Sequence, residues 1–529
     1  MSYIASWLLG SQPLKRYDPV IHTEKGDFVR VYTRSEGKMM ISTSRTETPS
    51  SVTIEQEYDY AIGVTARTQA VNLSLHTAAS HLGHLKDPKT AAAHLLEFHR
   101  VANGNSTDVV VTLEDSIYHY TFDNRSWDQQ PVNTMVPFMS PFVLGCYSPQ
   151  KNASNEHEAI QKRVVDIATT IEVKQHTRQF MDEFVALVLQ GREHTLLRVE
   201  EALVRAKQIR PNQKRILDIG AGAGAGMADR TQSFLKAEAS QFPNEGRVIS
   251  QLNAVEKLGY SECMYPLADL LKTLDWYGMG KTPLEIAVAV AQLAQRHGAV
   301  IETDLSRMDG RVSNVLREME RKFIGAAYHP STVAEVLQLH SKQYNIKGRM
   351  PLGEAYDTGY SRLSGSPETS VFNGLANCFI AYTALRQERV AGHYRTPEEA
   401  YASLGLYAGD DGISPRIAEN VYENAARDVG QVLKVVVKQP PQTVQFLARI
   451  YGPNVWQGDP TSMCDVKRQI SKFHATPHMG RLNSVEKLVY KSQSFYLTDA
   501  ETPLIGPFVR TVMRLADGQD LKPLLDDEK

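Results

Sequence analysis

The sequence predicts an α/β chain of the α+β kind, with helices packed on a small antiparallel sheet and a β-rich region ahead of them. Three observations predict it. Apolar residues alternate at residues 28–32, 52–58, 71–75, 109–113 and 117–122, with Gly, Asp, Asn and Ser between the runs, which is the period of half-buried strands. From about residue 195 onward apolar residues recur at helical spacing instead. Two apolar arms surround Gly409-Asp410-Asp411, and a third apolar run leads into Asp304, so carboxylates fall at a hairpin tip and a strand end.

With 529 residues, 42% hydrophobic and 22% charged, the chain suffices for two to four domains or subdomains and is neither disordered nor fibrous in composition. A net charge of -2 gives no overall electrostatic footprint for nucleic acid. Positive charge gathers locally, at Arg205, Lys207, Lys214 and Arg215 and again in residues 342–349. Cys146, Cys263, Cys378 and Cys464 lack Cys-x2-Cys spacing, so a reducing compartment is expected, without a zinc module or disulfide framework. The first ten residues have neither the basic start nor the apolar length of a secretory signal. No stretch reaches the roughly 18 apolar residues that span a bilayer, and there is no internal repeat.

Residues 1–145 read as a β-rich accessory region with one helix at about residues 90–102. His76, His81, His84, His94 and His99 gather around that helix; with no cysteine and few carboxylates nearby, they read as surface or core histidines. A loop rich in Pro, Ser and Asn at residues 137–155 marks a boundary. A helix is expected over residues 195–209, with Leu196, Val199, Leu203 and Ala206 on one face and Pro211 stopping it. Two readings stand for the run Gly220-Ala-Gly222-Ala-Gly224-Ala-Gly226. It is either a flexible linker or the turn after an apolar strand, which resembles the first motif of S-adenosylmethionine-dependent methyltransferases. Lys236 and Arg247, on two strands, offer the positive charge a nucleoside triphosphate needs. Thr282 caps a helix with Pro283 in its first turn, and further helices are expected over residues 312–323, 371–384 and 417–429. A strand follows at residues 433–437, then a largely helical end with the acidic tail Asp526-Asp527-Glu528.

Three segments within residues 301–413 fit one chemistry. Gly298-Ala-Val-Ile301 delivers Asp304, and Asp309 follows five residues later. Ser364-Gly365-Ser-Pro-Glu-Thr369-Ser-Val-Phe-Asn373 is a hydroxyl-rich loop that runs into an apolar helix. The third, Gly405-Leu-Tyr-Ala-Gly409-Asp410-Asp411-Gly412-Ile413, is the hairpin. Adjacent aspartates on a tight turn repel each other unless a cation neutralises them. Asp304 on a neighbouring strand completes the ligands for two metal ions about 3.5–4 Å apart, the clamp used for in-line phosphoryl displacement. The reaction class that follows is nucleotidyl transfer.

In this order Asp-x4-Asp, Ser-Gly-x3-Thr-x3-Asn and Gly-Asp-Asp resemble motifs A, B and C of the RNA-dependent RNA polymerases of positive-strand RNA viruses. Phe-x-Lys236-x-Glu238 with Arg247-x-Ile-Ser250 resembles motif F, the Lys434 strand motif D, and residues 444–451 motif E. Trp276-Tyr-Gly-Met-Gly-Lys281-Thr-Pro, Met308-Asp-Gly-Arg-Val-Ser313, Pro211-Asn-Gln and Ser471-Lys-Phe-His474 look like the polymerase region of the nodaviruses. The resemblance implies a right-hand polymerase fold with palm, fingers and thumb. Residues 146–300 would be fingers and the start of the palm, 301–452 palm with a fingers insertion at about 324–360, and 453–529 thumb. It implies Mg²⁺, replaceable by Mn²⁺, held by Asp304, Asp410 and Asp411, and Lys434 as proton donor to the departing pyrophosphate. Lys236 and Arg247 would bind the triphosphate, with Gly365 in the nucleotide site and Asp309, Ser364, Thr369 and Asn373 reading the 2′-hydroxyl. The implied partners are an RNA template and product strand, ribonucleoside triphosphates and a viral replication complex. The implied place is the host cytoplasm, at membranes reached through other factors or segments. Nodavirus replicases carry a membrane-attached capping region ahead of the polymerase, a pattern from which the roughly 140 β-rich residues here depart. A reverse transcriptase shares the Asp-Asp turn and the upstream Asp, but usually places a bulky aromatic where Asp309 stands and lacks the Ser-Gly-x3-Thr-x3-Asn series.

Overall fold

The computed structural model describes nine short strands before residue 150, together with residues 153–222, 230–236, 238, 245–473, 475–477 and 484–515. The chain forms two compact units. One comprises Met1–Ala159, Leu235–Arg247 and Val466–Leu524, the other Ile160–Phe234, Val248–Asp465 and Leu525–Lys529. In the first unit a six-stranded sheet runs Ile21–His22, Phe28–Thr33, Lys38–Arg45, Val52–Asp59, Ile117–Thr121, Cys146–Pro149, antiparallel except for the last pair. The expected strand at residues 71–75, the helix at 90–102 with its histidines, Gly224, Gly226, His474 and the acidic tail lie outside the described residues.

The second unit is organised around one helix and one sheet. The helix Thr369–Gln387 is buried continuously from Val371 to Leu385, which is the pattern of a helix with neighbours on every side. Around it pack the helices Gln175–Leu189, Ala254–Lys272 and Glu419–Arg427 and the strand Leu406–Ala408. The sheet is antiparallel, in the order Leu406–Ala408, Asp411–Pro415, Val300–Leu305, Leu433–Lys438. Two helices of this unit are each started by a side chain that satisfies orphan N–H groups. Pro283–His297 begins with a reciprocal capping box between Thr282 and Glu285. Asn314–Ala327 begins with the Ser313 hydroxyl accepting from the Leu316 N–H. Among the described residues no helix is long and apolar enough to cross a membrane.

Two sequence expectations are corrected. The helix expected over residues 195–209 spans only Glu201–Lys207, because Leu196 is drawn into a parallel bridge with Tyr328. Its N–H donates to Ala327 and its carbonyl accepts from His329, so the chain is extended there. The first part of the glycine run is neither strand nor linker. It ends the helix Pro211–Gly222, and a Cβ at Gly220 would lie 2.5 Å from the Ala254 carbonyl oxygen. Gly220 is small because another helix start abuts it, and the strand that a methyltransferase motif requires is missing from residues 211–222.

Two helical glycines carry opposite expectations. A Cβ at Gly374 would meet the Tyr277 ring at 2.7 Å, whereas at Gly325, on Asn314–Ala327, it would meet nothing within 4 Å. Gly374→Val is therefore expected to lower unfolding free energy by about 1–3 kcal/mol through overpacking, and Gly325→Ala to raise it by up to about 1 kcal/mol. Denaturant titration of both variants checks the signs; a stabilised Gly374→Val would contradict the packing described.

Candidate active site

The strand Val300–Leu305 is paired on both edges, and its register sets the site. Asp304 lies opposite Asp411 on one side and opposite Lys434 on the other. Ile301, Thr303 and Leu305 are buried while Glu302 and Asp304 share the other face, the alternation of a pleated strand. On the neighbouring hairpin, Ala408 pairs with Asp411, leaving Gly409-Asp410 as a two-residue turn with Gly409 at φ +66°. Asp410 is anchored by its main chain, its carbonyl accepting from the Leu305 N–H at 3.1 Å. Asn377 Nδ2 donates to the carbonyls of Gly409 and Asp411, both at 3.1 Å, so the buried helix grips the tip from beneath. The outer hairpin strand is held as well: Gly278 donates to the Tyr407 carbonyl at 2.8 Å, and Tyr407 to that of Trp276 at 2.9 Å. Lys434 Nζ lies 3.2 Å from Asp304 Oδ2.

These three carboxylates offer hard oxygen donors of the kind Mg²⁺ and Mn²⁺ prefer, on a partly exposed surface that leaves room for water and phosphate ligands. The chemistry of the donor set fits a hard divalent cation.

Asp309 sits on the 3₁₀ turn Met308–Arg311, and its Oδ1 accepts from Asn373 Nδ2 at 2.7 Å. The other nucleotide-site candidates fasten the loop that carries them. Ser364 Oγ donates to the Val248 carbonyl at 3.0 Å and accepts from the Ser250 N–H at 3.2 Å. Gly365 donates to the Ser250 carbonyl at 2.9 Å, an approach that leaves only 2.5 Å between that oxygen and an added Cβ. Thr369 Oγ1 reaches the carbonyls of Leu363 and Ser366 at 2.9 and 3.0 Å. The structure thus joins Asp309 to Asn373 and ties Ser364, Gly365 and Thr369 to main-chain partners. Lys236 and Arg247 belong to the other compact unit, where the Lys236 N–H donates to the Arg247 carbonyl at 2.8 Å. Glu238 lies 3.3 Å from Lys236 and 3.6 Å from Arg247.

Beneath Asn373 lies a buried ionic network. Arg317 bonds Glu320 at 2.9 Å and Glu368 at 2.7 Å, Arg362 bonds Glu368 at 2.7 Å and also Glu320, and His340 Nε2 lies 2.8 Å from Glu320. The Tyr260 hydroxyl donates to Glu368 at 2.7 Å. Glu320, His340 and Glu368 present ligand atoms within 4.8 Å of one another. Both carboxylates are nevertheless neutralised by guanidinium groups, so a divalent cation there would face two arginines.

No protein-family model matches the chain. It is similar to the RNA-directed RNA polymerase of Greasy grouper nervous necrosis virus, 28% identical over 426 residues, 77% of this chain and 42% of the relative. It is also similar to that of Flock house virus, 26% identical over 521 residues, 95% of this chain and 50% of the relative. The chain thus spans half or less of the length of these nodavirus relatives. A crystal structure of an insertion-loop deletion mutant of the RNA-dependent RNA polymerase of a human picobirnavirus superposes with a TM-score of 0.54 at 13% identity, covering 70% of this chain and 79% of the other. The fold is that of the viral RNA-dependent RNA polymerases.

Sequence reasoning missed Asn377, Arg317, Glu320, His340, Arg362 and Glu368. Asn377 had a usable signal, since it stands one helical turn after Asn373 on an otherwise apolar helix. Arg317 and Glu320 had none: on an amphipathic helix such charges read as a solvated face, and only the fold reveals that their face is covered.

The network has an acid signature. Burial alone would raise the Glu320 carboxyl, but Arg362 and Arg317 outweigh it and hold the group well below its usual 4.5. Glu368 is opposed by burial in the same way and lowered by Arg317 and Arg362. Groups depressed on folding contribute stability that is fully present above about pH 4.5 and is lost as pH falls through their folded values. Glu320→Gln is expected to lower stability at neutral pH by about 3–5 kcal/mol, by leaving buried guanidinium charge unpaired, and to flatten the acid limb. Urea titrations from about pH 7 to 3 check this; an unchanged acid limb in the variant would contradict it.

Proposed function

We propose that this chain is the catalytic part of a viral RNA-dependent RNA polymerase, which extends an RNA 3′ end by template-directed transfer of ribonucleoside monophosphates. The observation that carries the reading is the register that sets Asp304 against Asp411, beside an Asp410 tied to Leu305, within a viral polymerase fold. Asp304, Asp410 and Asp411 would hold the two divalent cations, Mg²⁺ or in its place Mn²⁺. When bound, such a pair supplies activation of the attacking 3′-hydroxyl and neutralisation of charge on the departing pyrophosphate.

The protein's own groups do the rest. The Gly409-Asp410 turn, held by Leu305 and Asn377, keeps the carboxylates in place before substrate arrives, so no reorganisation is needed at the moment of reaction. Lys434, beside Asp304, is the proposed proton donor to the pyrophosphate. Asp309 and Asn373 are the proposed readers of the ribose 2′-hydroxyl, with Ser364, Gly365 and Thr369 shaping the loop around the nucleotide. Lys236 and Arg247 carry the charge proposed for the triphosphate. The partners that follow are an RNA template and product strand and ribonucleoside triphosphates, within a viral replication complex in the host cytoplasm.

A reverse transcriptase is the weaker reading, because Asp309 bonded to Asn373 is a hydrogen-bonding pair where that class usually carries a bulky aromatic. Asp410→Asn keeps the shape of the turn but removes a charge the cations need. Primer extension with Mg²⁺ is expected to fall by several orders of magnitude in that variant while its melting curve is retained. Activity within about tenfold of the unsubstituted chain would overturn the role of Asp410.

A further inference from the structure

Asn373 can present its amide in two directions, and only one lets it donate to Asp309. Arg362 decides between them. Its Nε donates to Asn373 Oδ1 at 2.6 Å, and because a guanidinium can only donate, the amide oxygen must face it. The Asn373 nitrogen is then turned to Asp309, 2.7 Å away. The Arg362 main-chain N–H also donates to the Asp309 carbonyl at 2.8 Å, so one residue holds both members of the pair. Its neighbour Ser361 bonds the Gly310 carbonyl at 3.1 Å and fastens the same turn.

Arg362 is itself held rigid. Its side chain has no solvent exposure, NH1 is taken by Glu368 at 2.7 Å and NH2 by Glu320. With Nε on Asn373, every edge of the guanidinium has an acceptor, and its plane lies over the Phe372 ring at 5.7 Å. Lysine carries the same charge but cannot make this three-way fork.

We propose that Arg362 is the positioning residue for sugar selection, fixing the Asn373 amide so that it and Asp309 together meet a 2′-hydroxyl. The proposal rests on the reading of Asp309 and Asn373 as ribose contacts. A set of buried groups locked in one orientation leaves hydrogen bonds unmade when the hydroxyl is missing, which is how a site rejects a deoxyribonucleotide strongly. An Asn373 free to flip would turn its oxygen toward the Asp309 carboxylate and lose that selectivity.

The test is the ratio of kcat/KM for a ribonucleotide to that for its 2′-deoxy counterpart on one RNA template, in the unsubstituted chain, Asn373→Ala, Arg362→Lys and the double variant. Asn373→Ala is expected to lower the ratio by at least about tenfold, and Arg362→Lys by a similar factor. The double variant should lose no more than Asn373→Ala alone, since Arg362 acts through that residue. A ratio kept in Arg362→Lys, with both rates lowered equally, overturns the proposal and leaves Arg362 a structural role. A ratio unmoved by Asn373→Ala overturns the ribose reading and this proposal with it. If Arg362→Lys does not fold, Asn373→Asp decides: Arg362 still grips an oxygen while Asp309 loses its donor, so the ratio should fall as far as in Asn373→Ala. A ratio retained in Asn373→Asp overturns the proposal.

Discussion

The site depends on the register of the strand Val300–Leu305 against both of its neighbours. Side chains alternate faces along a strand, so a slip of one residue would turn Asp304 into the core and bring Thr303 or Leu305 to the surface. Core burial of Ile301 and Leu305 therefore fixes where the carboxylate points. On the hairpin the constraint is steric: a Cβ at Gly405 would lie 1.9 Å from the Ile413 carbonyl oxygen, so the strand start closes tightly on its partner. Ser414 then links the hydroxyls of Tyr407 and Tyr422 at 2.8 and 3.0 Å, tying the hairpin to the helix Glu419–Arg427.

The second layer of support is electrostatic. Two arginines and two glutamates buried together are weak evidence for net stability, since desolvation consumes most of the attraction. Their use lies in geometry. The fork of Arg362 carries orientation from Glu320 and Glu368 to Asn373, and from there to Asp309. An apolar core could fill that volume but could not tell the two ends of an amide apart.

Much of this was legible in the chain because the signals were local. Gly409-Asp410 between apolar arms gives the hairpin, and Thr282 followed by Pro283 and Glu285 gives a helix start. The apolar surroundings of Asn373 give a buried helix, and these rest on turn chemistry, capping and periodicity. What was not legible depended on contacts far apart in sequence. The shortened helix at Glu201–Lys207 follows from a bridge between Leu196 and Tyr328, and the helical end of the glycine run from the approach of Gly220 to Ala254. The network joins Arg317, Glu320, His340, Arg362 and Glu368 across four segments, and no spacing announces that their charges meet inside.

The role proposed for this register is to bring Asp304, Asp410 and Asp411 together as one cation site. Anomalous diffraction from crystals soaked in Mn²⁺ addresses it directly. Mn²⁺ peaks are expected with Asp304 and Asp410 carboxylate oxygens in their coordination shells, at about 2.0–2.6 Å, and those peaks are expected to be lost in Asp304→Asn. Mn²⁺ bound elsewhere with no peak at these aspartates, or peaks unchanged in Asp304→Asn, would contradict it.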